Sequence, residues 1–180
     1  MRMKRIFWQA KRPGLVALLG GLLGFSALAA PLATGDSLPG FSARDQFGRE
    51  FNTTNGSRFL LIATEMACAK AATQKLAAQG ADFLTTNSAA YVMDIHAMPA
   101  MVRYFVVPRM RKYPERIVLV EAANTLKDLP ARPGRVTVLA LTPGRRIQKI
   151  SYWDPVREPA GDCFKQAEGF AGAGMAIPPK

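Results

Sequence analysis

Apolar and polar positions fall into two alternating patterns along the chain. Phe59-Leu60-Leu61-Ile62-Ala63 is a continuous apolar run, as a strand buried on both faces requires. Ala67 to Gln79 is rich in Ala, Lys and Gln and stops at Gly80, which predicts a helix with a glycine end signal. Cys68, Ala72 and Leu76 share one face of it, at i, i+4 and i+8. A polar loop follows, and Ala89 to Ile95 reads as a second strand. Pro99 suits the first turn of a further helix that carries Met101, Val102, Phe105 and Val106, with Pro108 expected to kink or stop it. The spacing of Met101 and Phe105 predicts that they face the core.

Ile117-Val118-Leu119-Val120 is another apolar strand, and the Pro-rich and Gly-containing stretch 121–134 reads as irregular. Arg135 to Leu141 and Arg146 to Tyr152 flank Thr142-Pro143-Gly144-Arg145, so the pair predicts a hairpin closed by a type II turn. Residues 31–46 read as an extended lead-in with turns at Gly35, Pro39 and Gly40, and 47–51 as a short hairpin arm. The tail 155–180 reads as flexible. A strand–helix–strand unit is right-handed and parallel in nearly all cases. The 59–63 and 89–95 strands should therefore end at one sheet edge, where open α/β sheets build sites.

Composition adds a targeting segment. Arg2, Lys4, Arg5, Lys11 and Arg12 precede an uncharged run from Gly14 to Ala30. A basic start, an apolar stretch and small residues at its end predict a secretory signal over 1–29, with Ala27-Leu28-Ala29 as the cleavage pattern. Retention as an anchor is the alternative, and membrane contact is expected only then. The run is 17 residues with four glycines, short of the roughly 20 apolar residues a spanning helix wants. The expected destination is periplasmic, through the general export route, because no Arg-Arg pair precedes the run.

Five of the 24 basic residues leave with that signal, and nineteen remain against 13 acids, a net charge near +6. The densest basic group is Arg103, Arg109, Arg111, Lys112 and Arg116. Such a stripe can bind phosphate or anionic lipid, or can be a solvated helix face. For an exported chain, nucleic acid is not an expected partner. A protein of the cell envelope is, though nothing in the residues identifies it.

Leu38-Pro39-Gly40-Phe41, then Asp45-Gln46-Phe47-Gly48 and a buried strand, resemble the opening of thioredoxin-like periplasmic and peroxiredoxin-type domains. Members of that superfamily place Cys-x-x-Cys at the strand-to-helix junction, often as Ala-Thr-Trp-Cys-x-x-Cys-Lys. This chain reads Ala63-Thr64-Glu65-Met66-Ala67-Cys68-Ala69-Lys70. Met66 and Ala69 occupy the two cysteine positions, and Glu65 replaces the tryptophan. The family's cis-proline position falls at Gly134-Arg135, with Pro133 slightly early. Lys112-Tyr113-Pro114 before a strand and then a hairpin is similar to the periplasmic YtfJ-type branch. The resemblance covers roughly residues 36–153. It implies an α/β, thioredoxin-like domain over 30–154: a central mixed sheet, flanking helices and a C-terminal antiparallel hairpin. It also implies a degenerate active site and an exported binding or accessory module rather than a dithiol catalyst.

Three chemistries remain open in the residues. Cys68 in the first turn of a helix, beside Lys70, could be a reactive thiolate, with Cys163 as resolving or disulfide partner. Against that, Cys68 shares its helix face with Ala72 and Leu76, which points to the core. A bridge between the two cysteines would close 95 residues and stabilise by about 4–5 kcal/mol in the chain-entropy model. A second constellation is Met93, Asp94, His96, Met98 and Met101, with Met66 and Cys68 approaching from the neighbouring loop. Thioether, imidazole and thiolate are the donors Cu(I) prefers, although methionine is also a common core filler. Asp94 and His96 can pair only if the strand has ended, because alternate strand residues face opposite sides. Otherwise His96 is a loop or helix-cap residue. No glycine-rich phosphate loop is present, and no cofactor is expected. The candidate binding residues are Met66, Asp94, His96, Met98 and Arg103.

Overall fold

The computed structural model describes residues 30–54 and 56–168. Its elements are β1 (Ser42–Asp45), β2 (Glu50–Asn52), β3 (Phe59–Ala63), α1 (Met66–Ala77), α2 (Phe83–Thr86), β4 (Ala89–Asp94), α3 (Ala100–Met110), β5 (Ile117–Val120), β6 (Val136–Leu141), β7 (Ile147–Trp153) and α4 (Asp162–Glu168). One mixed sheet runs β2-β1-β5-β4-β3-β6-β7. β3, β4 and β5 are mutually parallel, with Ala63 opposite Met93 and Asp94 opposite Val120. β6 and β7 are antiparallel additions on one side, and β1 and β2 on the other.

The apolar run of β3 is divided between two faces by the period of two. Phe59, Leu61 and Ala63 join a cluster with Cys68, Ala72 and Leu76 of α1 and Cys163 and Phe164 of α4. Leu60 and Ile62 face the opposite way, onto Leu38, Val92, Val118, Leu126, Leu129 and Leu139. Helices therefore cover the first face, and the lead-in and the irregular stretch after β5 supply Leu38, Leu126 and Leu129 to the second. Both faces are dry, which is why β3 tolerates no polar residue.

Four local expectations are corrected. The lead-in contains β1, which has no apolar alternation to announce it. The sequence Asp45-Gln46-Phe47-Gly48 fixes that corner instead. The Asp45 carboxylate accepts from the Phe47 and Arg49 N–H groups, both at 2.9 Å, and Gly48 takes φ +82°. Gln46 donates from Nε2 to the Glu115 carbonyl (2.7 Å) and accepts from the Ile117 N–H at Oε1 (2.8 Å), tying the corner to β5.

The β6–β7 turn is not type II. Arg145, not Gly144, has positive φ (+61°), and its N–H donates to the Thr142 carbonyl at 2.9 Å. A type I turn followed by a left-handed residue suits the register shift at Ala140/Leu141. Arg145 is held there because its carbonyl accepts the Leu38 N–H at 2.8 Å.

In α3, Pro99 stands at the N-cap rather than in the first turn, and Pro108 lies inside the helix, which runs on to Met110. Finally, the chain from Pro155 is not loose as far as it is described. α4 buries Cys163, Phe164 and Ala167, with Phe164 stacked obliquely on Phe59 at 5.1 Å between ring centroids. Small residues that suggest a loose tail here permit close packing of a short helix. Residues 1–29, which carry the expected export signal, and 169–180 of the expected tail lie outside the described residues. Among the described residues no helix is long and apolar enough to cross a membrane.

Candidate functional site

Parallel pairing of β3 with β4 brings their carboxyl ends to one edge, as the strand–helix–strand order requires. Glu65 stands at the N-cap position of α1 there without a side-chain capping bond, and the 95–98 turn follows β4 at the same edge. The loop before β6 joins them. The Glu65 carboxylate accepts the Gly134 N–H at 2.9 Å, and Gly134 has φ +69°, a conformation that favours glycine. The described residues contain no cis peptide bond, including at Pro133.

Cys68 lies in the first turn of α1 but turns into the core, 3% exposed, on the face it shares with Ala72 and Leu76. Burial, reinforced by the negative charges of Glu65 and Asp154, pushes its thiol up to about 11. The expected helix-terminus and Lys70 stabilisation of a thiolate is outweighed, because desolvation disfavours the charged form. Cys163 is fully buried on α4, its Sγ donates to the Ala160 carbonyl at 2.7 Å, and burial pushes its thiol up to about 12. Both thiols are free, so the Cys68–Cys163 bridge is absent from this structure.

Asp94 and His96 do come together. β4 ends at Asp94, and the following turn places His96 Nδ1 2.7 Å from Asp94 Oδ1, which also accepts the His96 N–H at 3.0 Å. A carboxylate only accepts, so Nδ1 is the donor in this contact, and Nε2 meets no hydrogen-bond partner among the described residues. The side chain is 40% exposed. Arg103 Nη1 donates to Glu121 Oε2 at 2.7 Å, while its Nε is buried without a partner.

The methionines do not gather around His96. Met93 and Met98 are buried in the core cluster with Cys68, and Met101 is 73% exposed. Among the described residues no three His, Cys, Asp or Glu side chains cluster as a metal site. The expectation that Met101 and Phe105 face the core is reversed. With Tyr104, they form an exposed apolar face of α3, and Met110 is the buried residue of that helix.

Between α1 and α3 runs a groove of about 710 Å³. Met66, Lys70 and Thr73 line it from one face of α1, at i, i+4 and i+7, and Val106, Arg109 and Met110 from α3. Met93 of β4 also lines it, with Lys112 and Tyr113 from beyond α3. Thr73 Oγ1 donates to the Ala69 carbonyl at 2.9 Å, a carbonyl that also accepts from the Tyr91 hydroxyl at 3.0 Å. The basic group expected from the sequence divides here. Arg103 pairs with Glu121, Arg111 Nε donates to the Gln46 carbonyl, and Arg116 reaches Asp45 and the Glu50 carbonyl. The side chains of Arg109 and Lys112 have no hydrogen-bond or ion-pair partner among the described residues, and neither has that of Lys70.

Two features of the site were not read from the sequence. The groove is one. Its helix spacings were legible, but not that the two helix faces look at each other. The other is Glu115, 1% exposed with neither carboxylate oxygen hydrogen-bonded, whose pKa is pushed up by burial. A glutamate between Pro114 and Arg116 carries no local sign of burial.

No protein-family model and no curated protein matches the sequence. Solved structures do match the fold. The thioredoxin domain of a thiol-disulfide oxidoreductase from Bacteroides vulgatus is 13% identical, with a TM-score of 0.51, covering 77% of this chain and 98% of that one. A thio-disulfide isomerase from Thermus thermophilus is 15% identical, with a TM-score of 0.50, covering 80% and 100%. A peroxiredoxin-like protein from Aquifex aeolicus is 12% identical, with a TM-score of 0.51, covering 77% and 88%. The shared core of parallel strands, crossover helices and closing hairpin is the one the sequence resemblance implied. By fold, this chain is a thioredoxin-like domain.

Proposed function

We propose that this is an exported thioredoxin-like protein of the cell envelope that works without a dithiol, as a binding or accessory module rather than a catalyst. Its contact surface is the edge where β3 and β4 end, with the groove beside it. The observation that carries this reading is the state of Cys68. It is the lone cysteine of its turn, buried, with its thiol pushed up to about 11. At pH 7 such a thiol is ionised in about one molecule in ten thousand, too few for exchange chemistry. Met66 and Ala69 stand where the superfamily carries its cysteine pair, so no resolving thiol lies within the turn.

The rival is a single-cysteine thiol oxidoreductase using Cys68 with Cys163. Iodoacetamide labelling of the folded protein against pH, read by mass spectrometry of the Cys68 peptide, separates the two. The expected result is labelling no faster than global unfolding, with no titration midpoint below about pH 9. A midpoint near neutrality overturns the proposal in favour of the rival. Export is checked on the same material. The mature mass should correspond to a chain cut after Ala29 with two free thiols.

A further inference from the structure

We infer that the groove between α1 and α3 takes a single long-chain carboxylate, its hydrocarbon tail against the methionines and its anionic head among the three unpaired cations. The inference rests on the reading of the domain as a binding module and names the class of ligand.

The size fits, since a groove of about 710 Å³ lies within the range of about 300–1,000 Å³ usual for small-molecule sites. Three methionines line it, one each from α1, β4 and α3: Met66 is exposed, and Met93 and Met110 form its buried floor. Unbranched, polarisable thioethers adapt to a flexible chain better than branched side chains do. Met66 is 49% exposed, an uncovered apolar side chain on the lining.

The charge is one-sided. Lys70, Arg109 and Lys112 are the ionisable cations of the lining, and no Asp or Glu shares it. Other cations of the 103–116 group are committed to carboxylates or carbonyls within the fold, whereas these three have no partner among the described residues. An anion entering here meets donors that give up no internal bond to receive it.

Hydrogen bonding argues against a peptide as the occupant. The Thr73 hydroxyl proton is already given to the Ala69 carbonyl, and the side chain is buried. β4 lies between β5 and β3, so it presents no free strand edge for an added strand to pair with. An extended peptide would bury backbone groups without partners, at a cost a hydrocarbon chain does not carry.

The test is calorimetric titration of the detergent-free protein with laurate, dodecyltrimethylammonium and dodecyl maltoside, all kept below micelle formation. A parallel titration uses anionic phospholipid vesicles. Laurate should bind one to one, at least tenfold more tightly than the cation or the neutral maltoside, and should shift the methyl resonances of Met66, Met93 and Met110. Arg109→Glu combined with Lys112→Glu should weaken laurate at least tenfold while the circular dichroism spectrum is unchanged. Met66→Asp, at an exposed position, tests the tail end of the site in the same way and guards against loss of folding in the double variant. Equal binding of the cationic and anionic amphiphiles, retention of laurate by both variants, or binding to vesicles without binding of the monomer overturns the inference. Those results leave Cys68 labelling untouched. A reactive Cys68 would instead overturn the proposed function while leaving laurate binding as measured.

Discussion

The corner around Asp45 and the groove between α1 and α3 both collect basic side chains, and they use them in opposite ways. At the corner, a fully buried carboxylate receives two backbone N–H groups and the Nε of both Arg49 and Arg116, at 2.9 Å each. Burial by itself would raise the Asp45 pKa, but the bonds from Arg49 and Phe47 and the guanidinium of Arg116 more than offset it and hold the carboxyl below its ordinary value. At the groove, Lys70, Arg109 and Lys112 line an apolar surface with no acid among them. Charges that hold a fold together are consumed by it. Charges that the fold does not need remain free for something else.

The largest break in that contrast should come from Asp45→Asn. The variant weakens four charge-assisted hydrogen bonds to a buried acceptor, two from backbone N–H groups and two from the partly exposed Arg49 and Arg116, and should cost about 3 kcal/mol in urea unfolding at pH 7. Because the native pKa is below the unfolded value near 3.9, the Asp45 contribution is fully present above that value. It is lost as pH falls through the native pKa, and the variant should lack that acid limb. A loss under about 1 kcal/mol would mean that the corner is not what fastens β1 to β5.

Glu115 gives the opposite sign. Burial raises its pKa, so the native state holds its proton longer than the unfolded chain does, and stability falls as pH rises from about 4 through the native value. Glu115→Leu should add about 2 kcal/mol at pH 8 by removing a buried carboxyl without partners, with the gain shrinking toward pH 4. A gain independent of pH would refute this account of the side chain.

Gly48→Ala places a Cβ on a residue at φ +82°, in open space but in the left-handed region, and should cost about 1 kcal/mol in thermal unfolding. Smallest of all, Arg109→Gln with Lys112→Gln should move stability by less than about 0.5 kcal/mol. If that pair of changes costs more than about 1 kcal/mol, the groove cations are structural and the contrast with the Asp45 corner collapses.

Much of the fold was legible from local pattern. β3, β4, β5 and the β6–β7 pair announce themselves through apolar runs, and α1 through its composition and Gly80. β1, α2 and α4 did not, because Ser42–Asp45 has no apolar alternation and the helices Phe83–Thr86 and Asp162–Glu168 are too short to show a helical period. The site was legible in part. The i, i+4, i+8 spacing already pointed Cys68 toward Ala72 and Leu76, and the Asp94–His96 pair needed only the end of a strand. Met101 and Phe105 misled, since helical spacing identifies a common face without saying whether anything lies opposite it.

The sequence alone determined β3, α1, β4, α3, β5 and the β6–β7 pair, because backbone geometry repeats over a few residues and its periods are written in neighbouring side chains. It also determined that the helix opening at Met66 has one cysteine in its first turn rather than a pair. Only the tertiary structure decided what that cysteine and the basic residues became. Burial under the sheet's helices made Cys68 a core thiol, and contacts spanning 71 residues, such as Arg116 to Asp45, left some cations engaged and others free. Desolvation and charge pairing depend on neighbours that are distant in sequence, so no local pattern contains them.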